Sequence, residues 1–517
     1  MGNRPSGQFF QGKITKSFTI IGNITTAFPF FAVQVIVFLN MYRMTNPSNL
    51  SFSKVPGKVI KSGIVPVIAL LLIFIINSLY AGQLYACDLW KAGVSKMVIT
   101  PEEPIWMAGY ASRDRPSEGV MHDLWAKALV LEDCAGKKVL LITTDLLGFP
   151  GKMSDNIRDR IAAKYGFERA EIILSSSHTH TGPVLMDALF DIYPLDTSHI
   201  EIIRRYSHEL ENKIVELTGK AIYSLNPAHM YSGNGIVRFQ VNRRNNNAAT
   251  LFLQTELKGP NDHSVPVIKV TDTLHNPVAL VFGYACHTTV LDNYLFSGDY
   301  AGFAQIELEN LYPGATAMFF QGAGADQNPL PRRTVPLAEQ YGKELAAAVD
   351  RVLKEEMKNL KPHIATAYSE IDLAFSSLPG KEALMEIKTQ TTGYQQRWAA
   401  SQLKRMENKE PAITSYPYPV QVWKLGDQPI MIMGGEPVIE YAIQLKRIFG
   451  HEIFVMGYAN DIMGYIPSET ILEEGEYEGE ISQMVYGLPA KWNKGIQERI
   501  LDEFRKLSIY AGMEADK

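Results

Sequence analysis

The sequence predicts an α/β protein: one large catalytic domain with a mixed β-sheet, flanking helices and a site at the carboxyl ends of strands. Three observations carry that expectation. Short apolar, β-branched runs alternate with stretches of helical spacing, the pattern of strands covered by helices. Five of those runs hand over to a polar or glycine-containing loop that bears a potential metal ligand or acid/base group. The 46% hydrophobic and 20% charged content is that of an ordinary globular protein. At 517 residues the chain has room for two or three domains, though one large α/β domain also fits.

Bulk properties remove several function classes. A net charge of −5 leaves no basic footprint, so no nucleic-acid partner is expected. The three cysteines (Cys87, Cys134, Cys286) form no C-x-x-C metal motif. A metal would have to rest on His, Asp, Glu or Tyr.

Residues 1–86 differ in character from the rest. Ile64 to Ile76 is almost wholly apolar, preceded by Lys54, Lys58 and Lys61 and followed by small and polar residues. This is the layout of a secretory signal, and it is short for a membrane span. The earlier apolar stretch Phe18 to Leu39 reads as a first span, or as sequence upstream of a start at Met41 or Met44; the second is preferred. The expected organisation is an amino-terminal signal or anchor region over 1–86, with possible membrane association, and a hydrolase domain over 87–517. The protein is expected to be exported: periplasmic, secreted or membrane-anchored.

Within the domain, Lys91 to Ser95 and Met97 to Pro101 read as an opening strand closed by proline, and Leu124 to Leu131 and Lys138 to Thr144 as the next two. Ser154 to Tyr165 has helical spacing with Ser154 as cap. Glu171 to Leu174 is a buried strand, and Tyr206 to Leu225 an amphipathic helix. A short strand opens just after Pro266, and Pro277 to Tyr284 and Ala315 to Phe320 are further strands. A long helix is expected from Leu337 to about Lys358. Residues 376–415 read as helical excursions outside the core. Pro429 to Met433 and Glu452 to Met456 are strands, with a helix from Val438 to Ile448 between them.

The loops after five of these strands carry His178 and His180, His287, Asp326, Glu436, and Asp461 or Tyr465. Strands often end in polar residues, but five such endings in one chain point to loops meeting at one sheet edge, where ligands bind. In Ser175 to Pro183, the two histidines stand two apart on a segment expected to be extended, so their side chains point the same way. Two imidazoles and a carboxylate suffice for a catalytic zinc with an open position for water, whose pKa zinc brings to about 7.

These residues also carry a resemblance. Ser175-x-x-His178-Thr179-His180-x-Gly182-Pro183 is similar to the signature of the neutral (non-lysosomal) ceramidase family. So are Gly283 to Thr288 with Ser297 to Gly302, Gly435-Glu436-Pro437, and Asn460 to Tyr465 followed by Tyr477-Glu478-Gly479. Ala92 to Ser95 and Gly109-Tyr110 fit as well, and the likeness runs over roughly 90–490 in the family's order. It implies one zinc per chain, held by His178, His287, Glu436 and Tyr465. His180 would stand beside it as acid/base partner. Arg243 would help polarise the scissile carbonyl, and Tyr477 would donate to the developing oxyanion. The implied activity is hydrolysis of the N-acyl amide of ceramide or a related lipid by zinc-activated water.

Two departures are visible. The family's Gly-Asp-x-Ser-Pro-Asn loop corresponds here to Ala323 to Pro329, with Asp326 near the serine position. Asp326 is then a candidate general base, or a turn residue. The chain is also expected to lack the immunoglobulin-like carboxyl-terminal domain usual in larger members. The alternatives are a zinc hydrolase of another amide or ester, such as an N-acyl amino acid or acylated sugar, and a non-catalytic exported binding protein on the same fold. The oligomeric state is not legible.

Overall fold

The computed structural model describes residues 88–513. The amino-terminal signal or anchor region falls outside them. Among the described residues no helix is long and apolar enough to cross a membrane.

The mixed sheet of the expected α/β fold has nine strands. Its main path uses β1 (Trp90–Val98), β2 (Trp125–Glu132), β3 (Lys138–Thr144), β4 (Ile172–Ser176), β5 (Asn226–Ile236), β6 (Ser264–Thr271), β7 (Pro277–Tyr284) and β8 (Thr316–Gln321). Across the sheet they run β8-β7-β6-β5-β1-β2-β3-β4. The centre is antiparallel, and the two outer pairs, β3 with β4 and β8 with β7, are parallel. A second, four-stranded sheet is built from β9 (Ile364–Ala374), β10 (Ser415–Leu425), β11 (Gln428–Met433) and β12 (Phe454–Met456), with β11 and β12 parallel.

Alternation along the strands explains why there are two sheets. In β3, Val139 and Leu141 point to one face and Leu140 and Ile142 to the other, and all four are buried. A strand buried on both sides needs a layer on each. Val139, Leu141, Ile173, Val281 and Phe320 meet Trp423, Ile430, Ile432, Phe454 and Met456, so the two sheets pack face to face. On the first sheet's outer face, helices α1 (Gly151–Tyr165) and α2 (Thr197–Tyr223) cover one half. Helices α3 (Asp299–Leu311) and α4 (Val335–Lys354) cover the other. Helices α5 (Ile439–Phe449) and α6 (Ile496–Tyr510) close the second sheet. The result is a helix–sheet–sheet–helix stack.

Some local expectations are corrected. Helix α1 starts at Gly151, not at a Ser154 cap; Pro150 precedes it without a side-chain cap, and Ser154 is buried within its first turns. Strand β6 begins at Ser264, so Pro266 sits inside it, opposite Asn234. The 376–415 region, by contrast, is helical as expected: helices Lys381–Gln390 and Gly393–Glu407 bury a small cluster of their own, Leu384, Trp398, Ala399 and Leu403.

Candidate metal centre

Strands β4, β7, β8, β11 and β12 end at one edge, and their outgoing loops are tied together. Ser175 bridges Ala459 across the two sheets, and Asn460 donates its backbone N–H to Leu174 O at 2.7 Å. Gly457 N–H donates to Gln321 O at 2.9 Å. The convergence expected from five strand endings is therefore a feature of the fold.

The first histidine loop is not extended. His178 has φ 58°, the left-handed region, where a non-glycine residue persists only when its surroundings hold it. Those surroundings are explicit. Thr288 Oγ1 donates to Ser177 O at 2.7 Å, and Thr179 and Thr181 hydroxyls both donate to Ser297 O, at 2.9 and 2.7 Å. The motifs around 178, 287 and 297 thus form one knot.

Four of the predicted ligands meet in it. Glu436 and Tyr465 face each other in a two-residue parallel pairing, Glu436–Pro437 with Tyr465–Ile466. Glu436 Oε2 lies 3.2 Å from His178 Nε2 and 3.1 Å from His287 Nε2. Tyr465 Oη lies 3.3 Å from His287 Nε2. All four side chains are buried. His178 Nδ1 faces Leu147 O at 2.8 Å and His287 Nδ1 faces Gly324 O at 3.0 Å. Those carbonyls call for an N–H on each Nδ1, which leaves both Nε2 lone pairs aimed at the Glu436 oxygen.

Such a cluster of acceptors is repulsive unless something positive sits among them. Glu436 Oε2 is buried and accepts no hydrogen bond of regular geometry. Two ligands of one tetrahedral zinc, each about 2.0–2.1 Å from the ion, stand roughly 3.3 Å apart. The observed separations match that figure. His178, His180 and His287 also form a buried three-histidine group whose ligand atoms all lie within 4.8 Å. The residues fit a divalent metal.

His180 differs from the other two histidines. Its Nε2 is 3.2 Å from His178 Nε2, but its buried Nδ1 has no partner. No hydrogen bond at Nδ1 fixes its tautomer. The Tyr110 ring packs on it at 4.7 Å, and a side chain at Gly109 would collide with it at 2.4 Å. Burial, then the other two histidines, hold its pKa well below the usual value. Burial likewise lowers His287, to about 4. For Glu436 the pull of the imidazoles outweighs burial and keeps the carboxylate ionised. Burial and Glu436 push the Tyr465 phenol well up, so a metal would have to displace its proton.

Arg243 stands over the outer side. It donates to Tyr465 Oη at 3.2 Å and to Glu478 Oε1 at 2.7 Å, and its guanidinium lies 5.7 Å from the Tyr477 ring centroid. Tyr477 is exposed, 5.4 Å from the Tyr465 ring. Asp326 is committed elsewhere. Its Oδ1 accepts from Ile439 N–H and its Oδ2 from Asn242 Nδ2, both at 2.9 Å. Its backbone O accepts from Arg243 N–H at 2.8 Å. The turn reading suits this geometry better than the general-base reading. Asp461 bonds to Tyr416 and, through its backbone, to Gly435, and takes no part in the ligand cluster.

Sequence reasoning missed Tyr486. Its hydroxyl donates to Glu436 Oε1, the oxygen turned away from the histidines. No local pattern marks it; it arrives because the chain folds back after Tyr477.

The fold and this buried cluster together define an α/β protein with a metal-type site at its strand ends. Residues 90–327 match the family "Neutral/alkaline non-lysosomal ceramidase, N-terminal". Neutral ceramidase 1 of Arabidopsis thaliana is 24% identical over 275 residues, 51% of this chain and 34% of the relative. Neutral ceramidase of Pseudomonas aeruginosa is 25% identical over 236 residues, 43% of this chain and 34% of the relative. The matched stretch therefore spans about a third of these relatives. The crystal structure of neutral ceramidase from Pseudomonas aeruginosa superimposes with a TM-score of 0.64 at 18% identity, covering 83% of this chain and 76% of that one.

Proposed function

We propose that this chain is a zinc-dependent amidohydrolase that cleaves the N-acyl amide bond of ceramide or a related lipid. The observation that carries the reading is the approach of Glu436 Oε2 to His178 Nε2 at 3.2 Å and to His287 Nε2 at 3.1 Å, with Tyr465 Oη 3.3 Å from His287 Nε2. Bound there, zinc would supply Lewis acidity and lower the pKa of water to about 7. His180 Nε2 faces the same point and is suited to take a proton during attack and return it to the leaving amine. Arg243 and Tyr477 supply donors on the exposed side, where charge develops on the carbonyl oxygen. The products are a carboxylate and an amine; the amide C–N bond breaks and water supplies the oxygen. Export through the apolar segment around 64–76 belongs to the same proposal.

A second reading keeps the metal chemistry and changes the substrate to another amide or ester. It is favoured by the loop at 323–329, where Asp326 occupies the place of the family's serine as a helix and loop anchor. Fatty-acid release from ceramide, an N-acyl amino acid and an O-acylated sugar by the zinc-loaded protein separates the two. Turnover of ceramide above the others supports the first; turnover of only the other substrates supports the second. None on any substrate would contradict the hydrolase reading.

A further inference from the structure

Tyr486 and the polar region 376–415 are absorbed by none of the roles above, and they are connected. Tyr486 directly follows the short helix Ser482–Val485, which continues from the π-helical turn Tyr477–Ile481. One segment thus brings Tyr477 to the exposed side of the site and Tyr486 to the far side of Glu436. The segment is braced from outside. Trp398 Nε1 donates to Leu488 O at 2.8 Å and Gln402 Nε2 to Gly487 O at 3.4 Å. Met484 packs on the cluster of Leu384, Trp398, Ala399 and Leu403.

A carboxylate has two oxygens of equal basicity and can offer a metal one or both. At Glu436 the two are made unequal. Oε1 takes the Tyr486 hydroxyl, while Oε2 is left bare beside His178 and His287. We infer that Tyr486 is a positioning residue that fixes Glu436 as a one-oxygen metal ligand, and that helix Gly393–Glu407 holds Tyr486 in place for this purpose. The inference rests on the metal reading of the site. The helices at 381–407 then serve the metal centre at one remove, through a phenol, with no residue of their own in it. Hydrogen-bonded partners of this kind commonly contribute 10–100-fold, by order of magnitude, to metal affinity.

The test is zinc affinity by chelator competition, with the visible spectrum of the cobalt-substituted protein, for wild type and Tyr486→Phe. The Phe variant keeps the ring and removes only the hydroxyl. Expected are zinc binding about 10–100-fold weaker and weakened four-coordinate cobalt bands, because the freed Oε1 is available as an extra ligand. A merely structural hydroxyl would not move the cobalt spectrum. In a Glu436→Gln background, measured at raised zinc, the Tyr486→Phe effect should vanish if the tyrosine acts through Glu436. Wild type that binds zinc, with unchanged affinity and spectrum in Tyr486→Phe, overturns this inference alone. An equal loss of affinity in both backgrounds also overturns it. Wild type that binds no zinc overturns the metal reading and this inference with it.

Discussion

Asp326 anchors the start of α5: its Oδ1 accepts the Ile439 backbone N–H at 2.9 Å. Its other oxygen holds Asn242, and its backbone carbonyl holds Arg243. Asp326→Asn keeps one acceptor but sets an NH₂ against the Asn242 NH₂. The expected outcome is a loss of about 1–3 kcal/mol in stability, from a buried donor left unsatisfied. Turnover should fall less than tenfold, against the roughly 10²–10⁴-fold of a lost general base. Urea denaturation and turnover of this single variant check both halves.

This residue also shows what the sequence makes legible. His178, His287 and Glu436 are readable because ligand-type side chains follow apolar runs closed by glycine or polar residues, and those runs are strands. Asp326 obeys the same pattern yet spends its carboxylate on a helix start, since a strand ending marks a position and not a direction. The strand-ending pattern offers Tyr465 only as an alternative to Asp461; the resemblance is what selects it as a ligand. Tyr486 has no signal, because its contact with Glu436 spans 50 residues. Of the second sheet only β11 and β12 are legible as strands, β9 and β10 are not, and which sheet a strand joins depends on partners such as Trp423 and Leu141, far apart in the chain.

The unpinned His180 separates proton transfer from metal binding. His180→Gln should retain zinc and lose about 10²–10⁴-fold in turnover. Elemental analysis beside kinetics distinguishes this from a ligand, whose loss would take the metal as well.

Asp461 gives a pH dependence independent of the metal. Burial raises its carboxyl to about 7, against opposing hydrogen bonding from Tyr416. Between the ordinary carboxylate range and about 7 the folded state therefore binds the proton more tightly than the unfolded state. Its contribution to stability is present at low pH and is lost as pH rises to about 7, at roughly 1.4 kcal/mol per pKa unit. Asp461→Asn should remove this slope and be the more stable protein above about pH 7. Denaturation midpoints of both proteins from pH 4 to 8, as an approximate working range around the two pKa values, check it.

The most direct measurement is the zinc content of the purified full chain and of a His178→Ala/His287→Ala double variant, after equilibration with excess zinc and removal of the unbound ion. About one zinc per wild-type chain is expected, the number a single four-ligand site holds, and none in the variant. Stoichiometric zinc in the double variant, or none in wild type, would contradict that expectation.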